Sequence, residues 1–173
     1  MKRFGVRVYK EYFNFAASHF LVFPDGGREE LHGHNYQVRV AVEGPIGPGE
    51  MVLDFCRLKP IVRKHCDALD HLMLLPAESE RLEIEERERE VEVRFTRPEG
   101  EVDRFVFPRR DVLLLPLRNT STERLAEYLA AKILSEVRAE YPEAQRISSF
   151  SVEVEEASGQ CGVCRLEELA EGE

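Results

Sequence analysis

Basic charge is scarce in this chain. Lys and Arg total 24 of 173 residues against 33 Asp and Glu, giving a formal net charge of −9. A general nucleic-acid surface needs clustered cations to displace counterions, so no nucleic-acid partner is expected. Long hydrophobic runs are also missing. No stretch approaches the roughly 20 apolar residues of a membrane span, and no membrane partner is expected. The opening "MKRFGVRVYKEYF" alternates and forms no apolar leader core, so the expected location is the cytoplasm. Cysteine is limited to Cys56, Cys66, Cys161 and Cys164, which in a reducing compartment are thiols. "CGVC" (161–164) has CxxC spacing but no partner CxxC and no helical pattern starting there. It reads as a turn with two small buried thiols; a redox pair or a second zinc site are the alternatives. No repeat of fixed period is visible.

What is present is enough apolar residue, 43% of the chain, to bury a sizeable core, and the length fits one domain or a domain with an insertion. "FGVRVYKEYFNFAASHF" reads as a strand. Phe4, Val6 and Val8 alternate, then Phe13, Phe15, Ala17 and His19 share a face, so a bulge or bend is expected near Lys10–Tyr12. "FPDGG" (23–27) is a turn. "HGHNYQVRVAVEG" is the clearest strand, with His34, Tyr36, Val38, Val40 and Val42 on one face and Gln37, Arg39 and Glu43 on the other. "LDFCRLKPIVRKHCDALDHLML" turns helical, with Leu58, Ile61, Val62, His65, Leu69 and Leu72 at 3–4 spacing and Pro60 suited to a first turn. Residues 78–90 are nearly all charged and read as a solvated helix or loop. "VEVRFTRPEGEVDRFVFP" reads as a hairpin turning at Pro-Glu-Gly.

"NTSTERLAEYLAAKILSEV" is an amphipathic helix striped by Leu125, Leu129, Ile133 and Val137, with Thr120 and Glu123 spaced as a capping box. "SSFSVEVEEASGQ" is a strand with Phe150, Val152, Val154 and Glu156 on one face, and "RLEELAEGE" is a frayed tail. The order strand, strand, helix, hairpin, helix, strand predicts an α+β fold, an antiparallel sheet with two helices on one face.

His32 and His34 stand two apart on a strand and therefore project from the same side, with no side chain at Gly33 between them. His19, at the end of the neighbouring strand, is the candidate third ligand. Three neutral imidazoles without a thiolate describe a catalytic zinc with one open position; iron, copper or nickel would also suit imidazole. The plainer alternative is that His-x-His is two hydrogen-bonded polar side chains. His65, on the apolar stripe of its helix, reads as a buried, hydrogen-bonded histidine rather than a ligand.

The segments "FNFAASHF", "LHGHNYQVRVAVEG", "LDHLML", "NTSTERLAEYL" and "VEVEEA" occur in this order, and as a set they resemble the 6-pyruvoyl-tetrahydropterin synthase / 6-carboxytetrahydropterin synthase (QueD-like) family over residues 4–75 and 117–158. The resemblance implies the tunnelling (T-) fold, whose sheets join between subunits into a β-barrel, and a homohexamer built as a dimer of trimers. It implies His19, His32 and His34 as Zn2+ ligands, Asp70 and His71 as the proton-relaying pair, and Glu156 as the carboxylate that anchors a pterin. It also implies that Thr122 and Glu123, with Ser121, belong to the segment holding that pterin. Glu156 extends an apolar face, where a bare carboxylate is costly, and a pterin edge offers the paired N–H donors it could accept.

Two departures stand out. Relatives that make pyruvoyl- or carboxy-tetrahydropterin carry a cysteine shortly before HGH; here Arg28 and Gly26 stand four and six places before His32. Glu29 stands three before, as in the subgroup in which glutamate replaces the thiol. That pattern implies a lyase acting on the side chain of 7,8-dihydroneopterin or its triphosphate, with Glu29 as base and 6-hydroxymethyl-dihydropterin as product. The alternatives are a 6-carboxytetrahydropterin synthase activity in a deazapurine route and a non-catalytic pterin-binding paralogue. A distant thiol, Cys56 or Cys161, is a further candidate for the missing cysteine, and both Glu29 and Glu30 could equally be solvated loop acids. The second departure is the charged segment and hairpin at about 78–111, an insertion into an otherwise single 1–173 domain that could cover a tunnel mouth or extend a subunit contact.

Overall fold

Alternation over the first 19 residues becomes one long strand, β1 (Phe4–His19), and the HGH segment opens β2 (His32–Gly44). The computed structural model describes residues 3–167. Of the expected frayed tail, residues 168–173 lie outside the described residues and 165–167 are strand. The chain divides into two compact units, and β1 and β2 supply residues to both. The architecture is α+β.

The first unit comprises residues 1–15, 35–68 and 122–173. Its strands follow the order β1–β2–β8–β9, with β8 (Ser149–Ala157) and β9 (Gln160–Glu167) antiparallel to their neighbours. Its helices are α1 (Phe55–Asp67) and α2 (Thr122–Glu140). The inward face of β2, Tyr36, Val38, Val40 and Val42, is fully buried, as are Phe150, Val152 and Val154 of β8. The apolar stripe of α2, Leu125, Leu129, Ile133 and Val137, is buried with them. Helix α2 packs on β8 and β9, and α1 packs on α2. Each such side chain removed from water contributes roughly 1.5–3 kcal/mol. The expected parity switch in β1 is present: Val8 is buried, Tyr9 to Tyr12 are exposed, and burial resumes at Phe13. The Gln37 side chain donates to the Lys10 and Phe13 carbonyls across that stretch (2.6 and 3.0 Å).

Several expectations need correction here. Helix α1 starts a turn earlier than Pro60 suggests. Asp54 caps it by accepting from Cys56 N–H (2.7 Å), which leaves Pro60 inside the helix. The helix also ends at Asp67, so Leu69 and Leu72 lie beyond it. "CGVC" is not a turn. It lies within β9, with Cys161 exposed and Cys164 half-buried; three places apart on a strand, the two thiols project to opposite faces. His65 is hydrogen-bonded as expected, its Nε2 lying 2.9 Å from Glu136 Oε2, but it is half-buried rather than buried.

The second unit comprises residues 16–34 and 69–121. Strands β3 (Leu72–Pro76) and β7 (Val112–Leu115) run in the order β7–β3–β1 and pair in parallel. The sheet is therefore mixed rather than purely antiparallel. The charged stretch that read as helix or loop contains a strand, β4 (Leu82–Glu86), beside β5 (Glu90–Thr96) and β6 (Val102–Pro108). The β5–β6 hairpin turns where "Pro-Glu-Gly" predicts, with Gly100 at φ +93°, a conformation that costs glycine little. Phe20, Met73, Leu75, Val91, Val93 and Phe95 form this unit's core.

Glu92 explains how so charged a sheet holds. It is 2% exposed, covered by arginine side chains: Arg104 (2.8 Å), Arg94 (2.7 Å) and Arg87 (3.4 Å). The hydrogen bond from Arg104, helped by Arg94, holds its carboxyl at about 2 against an ordinary 4.5. A depressed folded-state value stabilises the fold above about pH 4.5, and that contribution is lost as pH falls toward 2. Glu92→Gln is therefore expected to lower Tm by about 5 °C at pH 7. The gap should close progressively below pH 4.5; a gap that stays constant down to pH 2 would show that the arginines do not act through the Glu92 charge.

Candidate metal centre and active site

The end of β1 and the start of its neighbour β2 bring three imidazoles together. His19 ends β1, and His32 and His34 begin β2. One nitrogen from each lies within 4.8 Å of the others. Ring centroids are 4.9 Å apart for His19–His32, 5.4 Å for His19–His34 and 4.6 Å for His32–His34. Gly33 allows the two strands to approach, since a Cβ there would sit 3.1 Å from the Ala17 carbonyl.

Hydrogen-bond partners fix how two of these rings present themselves. His19 Nδ1 lies 3.1 Å from the Thr120 carbonyl, and His32 Nδ1 lies 2.7 Å from the Glu30 carbonyl. A carbonyl only accepts, so both rings donate from Nδ1, which turns Nε2 of each toward the cluster as the atom that a ligating ring would offer. Nε2 of His32 stands 2.8 Å from Nε2 of His34. Two ring nitrogens that close need a proton or a cation between them. His19 is 1% exposed, and burial pushes its pKa from 6.5 to about 4, which keeps it neutral and able to ligate. A neutral His19, two oriented rings and three convergent nitrogens fit a divalent metal of borderline softness. Among the described residues, these three form the cluster of His, Cys, Asp or Glu able to hold a metal ion.

The acidic pair before the histidines separates. Glu30 points to solvent with 91% of its side chain exposed. Glu29 folds back: its Oε2 accepts from Leu21 N–H (3.2 Å), and its Oε1 lies 3.8 Å from His32 Nε2. Asp70 and His71 sit at the turn into β3. Asp70 accepts from Ala16 N–H (2.7 Å) through one oxygen and meets His71 Nδ1 (2.8 Å) through the other. His71 adopts φ +58°, unusual outside glycine and asparagine. Its N–H donates to the Ala16 carbonyl (2.6 Å), and its side chain is 82% exposed.

The three residues expected to hold a pterin lie in the first unit. Thr122 and Glu123 open α2, and β9 passes so close that a Cβ at Gly162 would sit 2.3 Å from Glu123 N. Glu156 falls at a register shift between Glu155 and Ala157 in the β8–β9 pairing. Such bulges re-aim a side chain.

Sequence reading missed two residues and misread a third. Thr120 is not the helix cap, because α2 begins two residues later. It is fully buried; its hydroxyl donates to the Phe20 carbonyl (3.2 Å) and lies 3.3 Å from His19 Nδ1. Asn119 holds Val22 through both its side-chain oxygen (3.2 Å) and its amide nitrogen (2.9 Å). Arg28, read only as an absent cysteine, is anchored beneath the Glu29 loop. A polar pair immediately before an amphipathic helix was the available signal for Asn119 and Thr120, and the capping pattern absorbed it.

The 6-pyruvoyl tetrahydropterin synthase family model matches residues 7–167. The chain is 33% identical over 151 residues to a Methanocaldococcus jannaschii protein assigned as a 6-carboxy-5,6,7,8-tetrahydropterin synthase, covering 87% of each. Over 43 residues, 25% of this chain and 37% of the other, it is 49% identical to the dihydroneopterin monophosphate aldolase of Pyrococcus furiosus. Its structure is similar to that of Plasmodium vivax 6-pyruvoyltetrahydropterin synthase, with a TM-score of 0.86 and 30% identity over 96% of this chain and 99% of that one. That structure carries a catalytic glutamate replaced by alanine. By the extent of the family match and the arrangement of its histidines, this chain belongs to the 6-pyruvoyl tetrahydropterin synthase family.

Proposed function

We propose that this protein is a zinc-dependent lyase that acts on the side chain of 7,8-dihydroneopterin or its triphosphate and releases 6-hydroxymethyl-dihydropterin. The observation that carries this reading is the carboxylate of Glu29, turned onto the histidine cluster 3.8 Å from His32, where the cysteine-bearing relatives would need a thiol. The similar Plasmodium vivax enzyme has a catalytic glutamate, and the Pyrococcus furiosus relative is a dihydroneopterin monophosphate aldolase; both support it.

His19, His32 and His34 would hold the ion. Bound zinc supplies Lewis acidity, lowering the pKa of side-chain hydroxyls placed on it. Glu29 takes the proton of the second side-chain hydroxyl. The bond between the first and second side-chain carbons then breaks. Its electron pair moves to the carbon next to the ring, where the conjugated imine of the dihydropterin accommodates it. The second and third carbons leave as an aldehyde. His71, oriented by Asp70 (2.8 Å), delivers a proton to the remaining carbon and completes the hydroxymethyl group. Glu156 pairs with the N–H donors of the pterin edge, and Thr122 and Glu123 help hold the ring. We take the chain as one domain with an insertion at about 78–111, assembled as a homohexamer of two trimers.

The relative assigned as a 6-carboxytetrahydropterin synthase favours a second reading, in which the base acts on carbon and triphosphate is eliminated, leaving a pyruvoyl or carboxy group rather than a hydroxymethyl group on the ring. Mass spectrometry of products from zinc-loaded protein separates the two. Release of 6-hydroxymethyl-dihydropterin with a two-carbon aldehyde is expected. A pyruvoyl or carboxy product would support the second reading, and no turnover of either substrate would leave a pterin-binding paralogue.

A further inference from the structure

Arg28 lies at the foot of the loop that carries Glu29, and its side chain is only 9% exposed. Its guanidinium meets Asp103 of β6 through both Nε and Nη2 (2.7 Å each). It stacks over Phe105 (4.9 Å), Phe20 (5.6 Å) and Phe95 (6.0 Å). The remaining nitrogen, Nη1, donates to the main-chain carbonyl of Glu29 (2.8 Å). A planar fork with donors in fixed directions can do all three at once, whereas an ammonium cannot.

Glu29 is therefore tied at three atoms. Its N–H donates to the Leu21 carbonyl (2.8 Å), one carboxylate oxygen accepts from Leu21 N–H (3.2 Å), and its carbonyl is held by Arg28. The oxygen left over is the one facing His32. We infer that Arg28 is a positioning residue: the β5–β6 hairpin, acting through Asp103 and the Arg28 guanidinium, clamps the main chain of Glu29 and so fixes its carboxylate against the histidine cluster. This rests on the reading of Glu29 as the base. It gives the inserted segment a catalytic purpose within its own subunit, because a general base works only while held within a fraction of an ångström of its target.

The test uses the full-length zinc-loaded protein with 7,8-dihydroneopterin and its triphosphate. Arg28→Met and Asp103→Asn are expected to lower kcat about 30-fold with KM within about twofold and zinc content unchanged. Arg28→Lys, which keeps the charge but not the fork, should recover less than about threefold of that loss. Independently of turnover, the Glu29 amide should exchange hydrogen at least about tenfold faster in Arg28→Met, while the Val38 and Val40 amides stay as slow as in wild type. Unchanged Glu29 protection in a folded Arg28→Met protein overturns the clamp, as does faster exchange spread evenly through the strands. Glu29→Gln, run alongside, separates the two ideas. If it is inactive while Arg28→Met keeps wild-type kcat, the clamp alone fails. If Glu29→Gln turns over like wild type, the base assignment fails and the catalytic purpose of the clamp fails with it.

Discussion

His32→Ala is expected to abolish stoichiometric zinc binding and to cut turnover at least about 1,000-fold, about 4 kcal/mol of transition-state stabilisation. Loss of a residue that merely orients a ligand costs 10–100-fold in metal affinity, so loss of a ligand itself should exceed about 100-fold. His32 is the informative choice among the three histidines. Its side chain is about one-third exposed, so removing it leaves the apolar core intact. His19 is 1% exposed, and its replacement would mix metal loss with a cavity. Metal per subunit, measured by elemental analysis after dialysis, and circular dichroism of the apo form give the two readouts. A folded His32→Ala protein that keeps one zinc per subunit would remove the histidine cluster as the metal centre.

Glu29→Gln is expected to lower kcat by about 10²–10⁴, the usual worth of a placed general base, while zinc stays bound. The amide is nearly isosteric, and its oxygen can still accept from Leu21 N–H, so the loop keeps the contact made by Glu29 Oε2. What disappears is the capacity to take a proton. Glu30→Gln is the internal comparison: that side chain is 91% exposed, and its neutralisation should change kcat less than about twofold. Equal losses in the two variants would mean that loop charge, rather than a single base, matters. Near-wild-type turnover in Glu29→Gln would move the base elsewhere, with His71 as the first candidate.

The parts of this structure that could be read from residues alone are those with a clean period. β2 alternates without interruption from His34 to Val42, so its buried face and the shared side of His32 and His34 followed directly. The stripe of α2 and the turn of the β5–β6 hairpin were equally plain. Parallel strands β3 and β7 were hidden because "LMLLP" and "VLLL" are short apolar runs without alternation, which suit a buried strand or a helix end equally. β4 was hidden because its glutamates gave a solvated pattern, while the arginines that pair with its neighbour Glu92 lie dispersed along the sequence. The convergence of the three histidines needed only strand periodicity and the adjacency of two consecutive strands. The grip of Thr120 on His19 and of Arg28 on Glu29 depended on long-range packing, for which a single sequence carries no local signal.

The backbone of His71 has a consequence for how variation at that position should be read. A non-glycine residue at φ +58° gives up about 1–2 kcal/mol relative to an unstrained one, and a side chain 82% exposed recovers little of it by packing. Selection for thermal stability alone would install glycine or asparagine there. A library selected only for heat resistance should therefore drift away from histidine at position 71, and one selected for turnover should restore it, so the two selections pull this single turn in opposite directions.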